Sequence, residues 1–238
     1  SGAIAIDQGK IAAVGDPDNL PSANKVIDAS GNHVLPGLID THVHYRFNRP
    51  NPGKCVTEDS QAAAAGGVTT FGNFMKSLTQ NPLDSVTEQR KILEEHSLID
   101  GFFHLVITPQ VLEDIPRLPE KGISTFKFLM GYKGLQADMN TIPSIDDGII
   151  YAGFEKISKL NPPARAIVHC ENIDIALMLR KRLEEAGRKD MPAWGESRPG
   201  FVEIEAMRRI VYFSEITNCP LYIAHVTIAE GVDVVAAA

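Results

Sequence analysis

His42 and His44 close a short apolar run, Gly37-Leu38-Ile39-Asp40-Thr41-His42-Val43-His44. Side chains of an extended chain alternate between faces, so residues two apart point the same way. Two imidazoles converging at a strand end begin a divalent-metal site, although a pair of loop histidines shows the same spacing. Further on, His169 closes the run Ala166-Ile167-Val168 and His225 closes Tyr222-Ile223-Ala224. Taken singly, each reads equally as a hydrogen-bonded structural histidine. Four of the seven histidines at the ends of three separate strands point jointly to metal ligation.

Lys127 is the least expected residue, placed inside the apolar run Phe126-Lys127-Phe128-Leu129-Met130. Lysine is almost never fully buried without a partner, and burial drives it toward the neutral amine. The ordinary alternative is a strand-end lysine that snorkels to water or pairs with a carboxylate. A neutral amine in a dry pocket is a nucleophile that CO2 converts to a carbamate. That turns an unwelcome cation into an anionic, two-oxygen bridge between two metal ions.

Positioning such groups takes a regular frame. The first 36 residues predict a small β element. Ala3–Ile6 and Ile11–Val14 form a hairpin around a four-residue loop at 7–10, and short strands follow at Val26-Ile27-Asp28 and His33-Val34-Leu35. From Gly37 onward, strands predicted at 38–42, 68–74, 101–107, 125–130, 166–169 and 221–225 alternate with helices at 58–65, 83–96, 110–115, 146–160, 173–186 and 201–217. The third helix is expected to be short because Pro116 and Pro119 bar its continuation. Such alternation means βαβ units and a parallel sheet covered by helices. No G-x-G-x-x-G follows the first strand, so a (β/α)8 TIM barrel, with six units present in residues 37–238, is favoured over a doubly wound sheet. In a barrel every strand's C-terminal end faces one mouth, where those histidines would gather.

The net charge of −7 and the lack of a Lys/Arg-rich run argue against nucleic acid but not against a small anionic substrate. Three scattered cysteines, Cys55, Cys170 and Cys219, fit a reducing cytoplasmic setting. No run is long enough to span a membrane as a helix. The chain opens on Ser1 and ends in a helical stretch without a stop signal, so both ends read as cut.

These residues resemble the amidohydrolase superfamily, specifically its cyclic-amide hydrolases: dihydropyrimidinases, hydantoinases, dihydroorotases and allantoinases. The matching segments are Val34 to His44, Ala65-Gly66-Gly67-Val68-Thr69-Thr70, Phe126 to Lys133, Val168-His169-Cys170-Glu171-Asn172 and His225-Val226-Thr227. The resemblance covers essentially the whole chain, and the Lys-to-Tyr and His-Cys-Glu-Asn segments look closest to dihydropyrimidinase and hydantoinase.

The resemblance implies His42 and His44 on one metal, His169 and His225 on a second, and carboxylated Lys127 bridging both with a shared hydroxide. The ions would be zinc, with manganese, cobalt or nickel as alternatives. Tyr132 matches the tyrosine that hydrogen-bonds the substrate carbonyl. Arg46 matches the arginine with which dihydroorotases pair a substrate carboxylate, although a surface arginine in a loop reads equally well. Asn73, near the end of strand two, is a weaker substrate contact. The implied reaction is hydrolytic ring opening of a small cyclic amide or ureide. The implied assembly is a homodimer or homotetramer, with residues 1–36 as part of a small β-sandwich.

The family's catalytic aspartate closes an eighth strand and has no counterpart here; Asp233 lies in the terminal helix and is no substitute. The stretch alone is therefore expected to be poorly active. Three alternatives stay open: a non-catalytic dihydropyrimidinase-like interaction scaffold, dihydroorotase or allantoinase activity on the same site, and other chemistry on the same barrel.

Overall fold

The computed structural model describes residues 2–47, 49–77, 81–133 and 143–238. It divides into two compact units, Ser1–Pro36 and Gly37–Ala238.

The first unit holds an antiparallel hairpin of β1 (Ala3–Asp7) and β2 (Lys10–Gly15). Its loop is shorter than the four residues expected. Asp7 pairs with Lys10, leaving Gln8 and Gly9 as a two-residue turn with φ of 49° and 74°. Positive φ at both positions matches the twist of the flanking strands. The strands expected at Val26-Ile27-Asp28 and His33-Val34-Leu35 do not form, and Val26, Ile27, Val34 and Leu35 are all exposed. An apolar run becomes a strand only when another strand pairs its backbone, and none does so here among the described residues. Of the expected sandwich portion, the hairpin is what these residues contain.

The second unit is built on one parallel sheet: β3 (Leu38–Val43), β4 (Val68–Met75), β5 (Asp100–Val106), β6 (Thr125–Leu129), β7 (Arg165–His169) and β8 (Leu221–Ile223), hydrogen-bonded in chain order. Between and after the strands run α1 (Pro52–Ala65), α2 (Pro82–His96), α3 (Asp147–Ile157), α4 (Ile173–Glu185), α5 (Met191–Glu196), α6 (Phe201–Thr217) and α7 (Ala229–Ala237).

Local chemistry sets the helix starts. The side chains of Asn51, Asn81, Asp146, Asn172 and Asp190 each accept a backbone N–H of the first turn they precede. Asn51 with Pro52 starts α1 six residues before the expected Glu58, because proline is at home in a first turn. The helix expected at 110–115 is instead a 3-10 stretch, Leu112–Lys121, which passes through Pro116 and Pro119. Proline bars the i→i−4 ladder but is accommodated by these tighter turns.

β3 and β8 are the two outer strands of the sheet. Laid flat, strands spaced ~4.8 Å apart would hold them ~24 Å from each other. Yet the rings of His42, on β3, and His225, just past β8, have centroids 5.2 Å apart. The sheet therefore curls on itself as a half-barrel, the arrangement of a partial (β/α)8 barrel.

Strand alternation divides the apolar residues into two layers. Phe71, Met75, Phe103, Leu105, Phe126, Phe128, Ala166 and Val168 belong to the large core packed with the helices. Phe74, Val106, Leu129 and Ile167, from four successive strands, and Ala224, just past the fifth, form a separate inner cluster. Lys127 and His169 share the parity of Leu129 and Ile167, and so face inward.

Candidate metal centre

One cavity of about 350 Å³ is lined by His42, His44, Arg46, Asn73, Phe74, Lys127, Tyr132, His169 and His225, among others. Every site residue proposed from sequence therefore borders the same space. A larger groove of about 510 Å³ along α6 is lined by Phe201, Ile204, Glu205, Arg208 and Arg209 and contains no histidine.

Phe74 is the floor of the cavity. Its ring centroid lies 4.3 Å from that of His42, 5.3 Å from His44 and 4.5 Å from His104, and 4.7 Å from the Lys127 amine. The His42 and His44 rings are 5.4 Å apart, as a same-face pair on a strand end requires. His169 Nδ1 and His225 Nε2 approach to 3.3 Å, with the Tyr132 ring 6.3 Å from that of His169.

His225 reaches the cavity by breaking strand alternation. β8 ends at Ile223, two residues earlier than expected, and Leu221 and Ile223 pack on the helix-side core. Continued extension would send His225 to that same side. Its φ of 42° instead turns the chain, and its ring meets that of His169 at 4.7 Å. A left-handed residue other than glycine is uncommon and persists where its surroundings hold it. Here Glu203 of α6 accepts hydrogen bonds from both the Thr227 backbone N–H, at 2.8 Å, and the Thr227 hydroxyl.

Lys127 is 1% exposed, and its amine is buried with no hydrogen-bond partner among the described residues. Burial pushes it down to about 8. His42 is pushed down to about 4 by burial and then by the Lys127 charge, and His225 to about 4 by burial and then by His169 and Lys127. His44 is lowered as well, by burial first. Neutral imidazoles are the state in which these rings bind a cation. Among the described residues, no three His, Cys, Asp or Glu side chains form a ready-made cage. The donors are two imidazole pairs and an amine, and the amine becomes an oxygen donor only when carboxylated. That unpartnered amine fits the group the sequence implied.

Asn73 and Arg46 are both engaged elsewhere. Asn73 is 1% exposed, and its Oδ1 accepts the Tyr45 backbone N–H at 2.7 Å, holding the segment that follows His44. The Arg46 guanidinium donates to Asp59 at 2.7 Å and to Glu58 at 3.3 Å. Sequence reasoning gave no role to His104, which is 4% exposed. Its Nδ1 meets Thr125 Oγ1 at 2.6 Å and its Nε2 meets the Thr41 carbonyl at 3.0 Å, bracing the strand that presents His42. The Trp194–Arg198–Glu171 group behind His169 also escaped notice. Its one signal in the sequence is that Glu171 follows a candidate ligand by two residues. The three cysteines are free, and burial pushes the Cys170 thiol up to about 12, which keeps it protonated.

No protein-family model matches the chain. It is 33% identical over 238 residues to an allantoinase of Desulfitobacterium hafniense (strain Y51), covering 99% of this chain and 51% of that protein. It is 34% identical over 237 residues to a D-hydantoinase of Rhizobium radiobacter, covering 97% of this chain and 49% of that protein. The chain thus spans about half the length of the curated relatives it matches. Among solved structures, a D-hydantoinase superposes with a TM-score of 0.85 at 32% identity, covering 99% of this chain and 50% of that one. The L-hydantoinase (dihydropyrimidinase) of Arthrobacter aurescens superposes with a TM-score of 0.86 at 29% identity, covering 98% and 51%. Likeness of sequence and of fold along nearly its whole length supports an amidohydrolase family with cyclic-amide hydrolase members as the one this chain is similar to.

Proposed function

We propose that this chain carries the metal-holding part of a hydrolase site that opens cyclic amides of the hydantoin and dihydropyrimidine type. The observation that carries the reading is the Lys127 amine, buried without a partner among the described residues in a cavity walled by four imidazoles. His42 and His44 would hold one divalent cation and His169 and His225 a second, with carboxylated Lys127 shared between them. Carboxylation joins the amine nitrogen to the carbon of CO2 and releases one proton to water. Zinc suits these donors, and manganese, cobalt or nickel can take them. When bound, such ions supply an activated water and a Lewis acid for the ring carbonyl.

The chain's own residues would do the remaining work. Tyr132 would donate its phenolic O–H to the ring carbonyl oxygen, where negative charge develops. Phe74 and the inner apolar layer keep bulk water from beneath the ring. Asn73 would act by fixing Tyr45, and so the run that bears His42 and His44. Arg46 already faces two carboxylates, so a substrate carboxylate would have to displace Asp59 or Glu58. That favours neutral rings over a carboxylated ring such as dihydroorotate. The proton carrier that the resemblance places on an eighth strand is not among these residues, so this chain alone should open rings slowly. Assembly into homo-oligomers is proposed from the relatives alone.

The test is direct. Protein produced with zinc and 13C-bicarbonate should carry two metal ions by elemental analysis and a 13C carbamate signal that disappears in Lys127→Met. Neither metal nor carbamate would leave the non-catalytic scaffold as the reading.

A further inference from the structure

We propose that Glu171, clamped by Arg198, is a positioning residue that fixes the ring of His169 so that Nδ1 presents its lone pair toward His225. The inference rests on the metal-centre reading above and adds to it a support built from three other elements.

His169 has two distinct ring nitrogens. Nδ1 lies 3.3 Å from His225 Nε2, and Nε2 lies 3.8 Å from Glu171 Oε2. A carboxylate only accepts, so the ring proton is favoured on Nε2, which leaves Nδ1 bare on the cavity side. A separation of 3.8 Å is ion-pair reach rather than a formed hydrogen bond, and at that reach the carboxylate charge still favours the proton on the nitrogen that faces it.

Glu171 is not free to turn away. Its Oε1 accepts from Arg198 Nε at 3.0 Å, and the two side chains are 15% and 16% exposed. The Arg198 guanidinium lies 3.6 Å over the Trp194 ring and donates to Ser197 Oγ at 3.0 Å. The Ser197 hydroxyl in turn donates to the Trp194 carbonyl at 2.7 Å. The short helix α5 thus supplies the face on which the arginine rests. Two residues past β6, a Cβ on Gly131 would fall 2.5 Å from Glu171 Oε2 and 2.8 Å from His169 Nε2. The chain has no side chain at the one point where carboxylate and imidazole must meet.

Two variants break the contact in different ways. Glu171→Met removes the acceptor, and Gly131→Ala wedges a methyl between carboxylate and ring without removing charge. Long-range 1H–15N spectra of the metal-free protein read the tautomer of His169. The native protein should hold the proton on Nε2, and both variants should shift population to Nδ1–H. Zinc calorimetry on the metal-free protein should show one of two sites weakened about ten- to hundredfold and the other unchanged. Arg198→Met should reproduce part of the effect, and Arg198→Lys should restore some of it. A merely structural role would lower the melting temperature and leave the tautomer in place. An unmoved tautomer, or unchanged zinc affinity in protein that does take zinc, overturns the proposal. Native protein that takes up no zinc at all overturns the metal reading instead, and the tautomer shift then decides the positioning role alone.

Discussion

The Lys127 amine lies 4.7 Å over the centre of the Phe74 ring and has no hydrogen-bond partner among the described residues. The ring face attracts a cation, but a cation–π contact of about 2 kcal/mol does not replace the lost hydration of an ammonium ion. The amine therefore loses its proton near pH 8 in the native state, against about 10.4 in an unfolded chain. Between those values the unfolded chain binds more protons, so stability rises with pH. The gain is on the order of 3 kcal/mol across the window, and it is lost as pH falls to 8 and below. In metal-free protein in CO2-free buffer, Lys127→Met should be more stable than native protein at pH 7 and should lack the slope between pH 8 and 10.5. Urea unfolding at a series of pH values measures both. Parallel curves would mean that the native amine is solvated or paired.

The imidazoles carry the opposite end of the pH range. His42 and His225 sit near 4 in the folded state, pushed down chiefly by burial, whereas unfolded histidine titrates near 6.5. As pH falls from 6.5 to 4 the unfolded chain takes up protons that the folded chain refuses, so folded stability is lost across that window. Ring NMR titrations of metal-free protein should find both histidines neutral at pH 5. Lys127→Met should raise the titration point of His42, because the lysine charge is the second cause of its depression. A His42 that titrates unchanged in that variant would place the amine too far away to matter.

Tyr132 supplies the test of chemistry rather than of binding. It packs against the inner cluster beside His169. A donor aimed at developing charge contributes in the transition state and little in the ground state. In preparations that open the ring, Tyr132→Phe should lower kcat by about 10²–10³-fold with KM little changed. Elemental analysis should find the same metal content as in native protein. A rise in KM alone, or a loss of metal, would assign the tyrosine a different job.

What could be read from the chain and what could not divides along a physical line. His42 and His44 were legible because a period of two is a local property, and Lys127 because one charge inside an apolar run conflicts with burial. The six parallel strands were legible because apolar runs alternate with helical ones. His225 was named, but as the end of a strand; its turn inward sits beside Thr227, which Glu203 holds from 24 residues earlier in sequence. Val26-Ile27-Asp28 and His33-Val34-Leu35 have strand composition and, among the described residues, no strand to pair with. α5 was missed because six residues opening Met-Pro carry too little periodicity to register. The engagement of Arg46 by Asp59 requires α1 to fold back against the segment that follows β3, which no spacing within the loop reveals.

His104 gives the last prediction, because its partners fix its protonation without any titration. The Thr41 carbonyl can only accept, so Nε2 carries the hydrogen, and Nδ1 accepts from the Thr125 hydroxyl. One neutral tautomer thereby ties β3, β5 and β6 together immediately before His42. Gly72 of β4 makes the space, since a Cβ there would lie 2.6 Å from His104 Nε2 and 2.8 Å from the Phe102 ring. Gly72→Ala must push the imidazole off the Thr41 carbonyl, leaving the buried Nε2–H of His104 unpaired at a cost of about 1–3 kcal/mol. His104→Phe keeps the ring but removes both hydrogen bonds, and should cost a similar amount. Because His42 follows Thr41 directly, both variants should also disturb the His42–His44 pair while leaving His169 and His225 alone. Ring NMR of metal-free protein distinguishes the pairs: shifts confined to His42 and His44 are expected. Equal movement of all four rings would show a general loosening of the barrel rather than a brace under one strand.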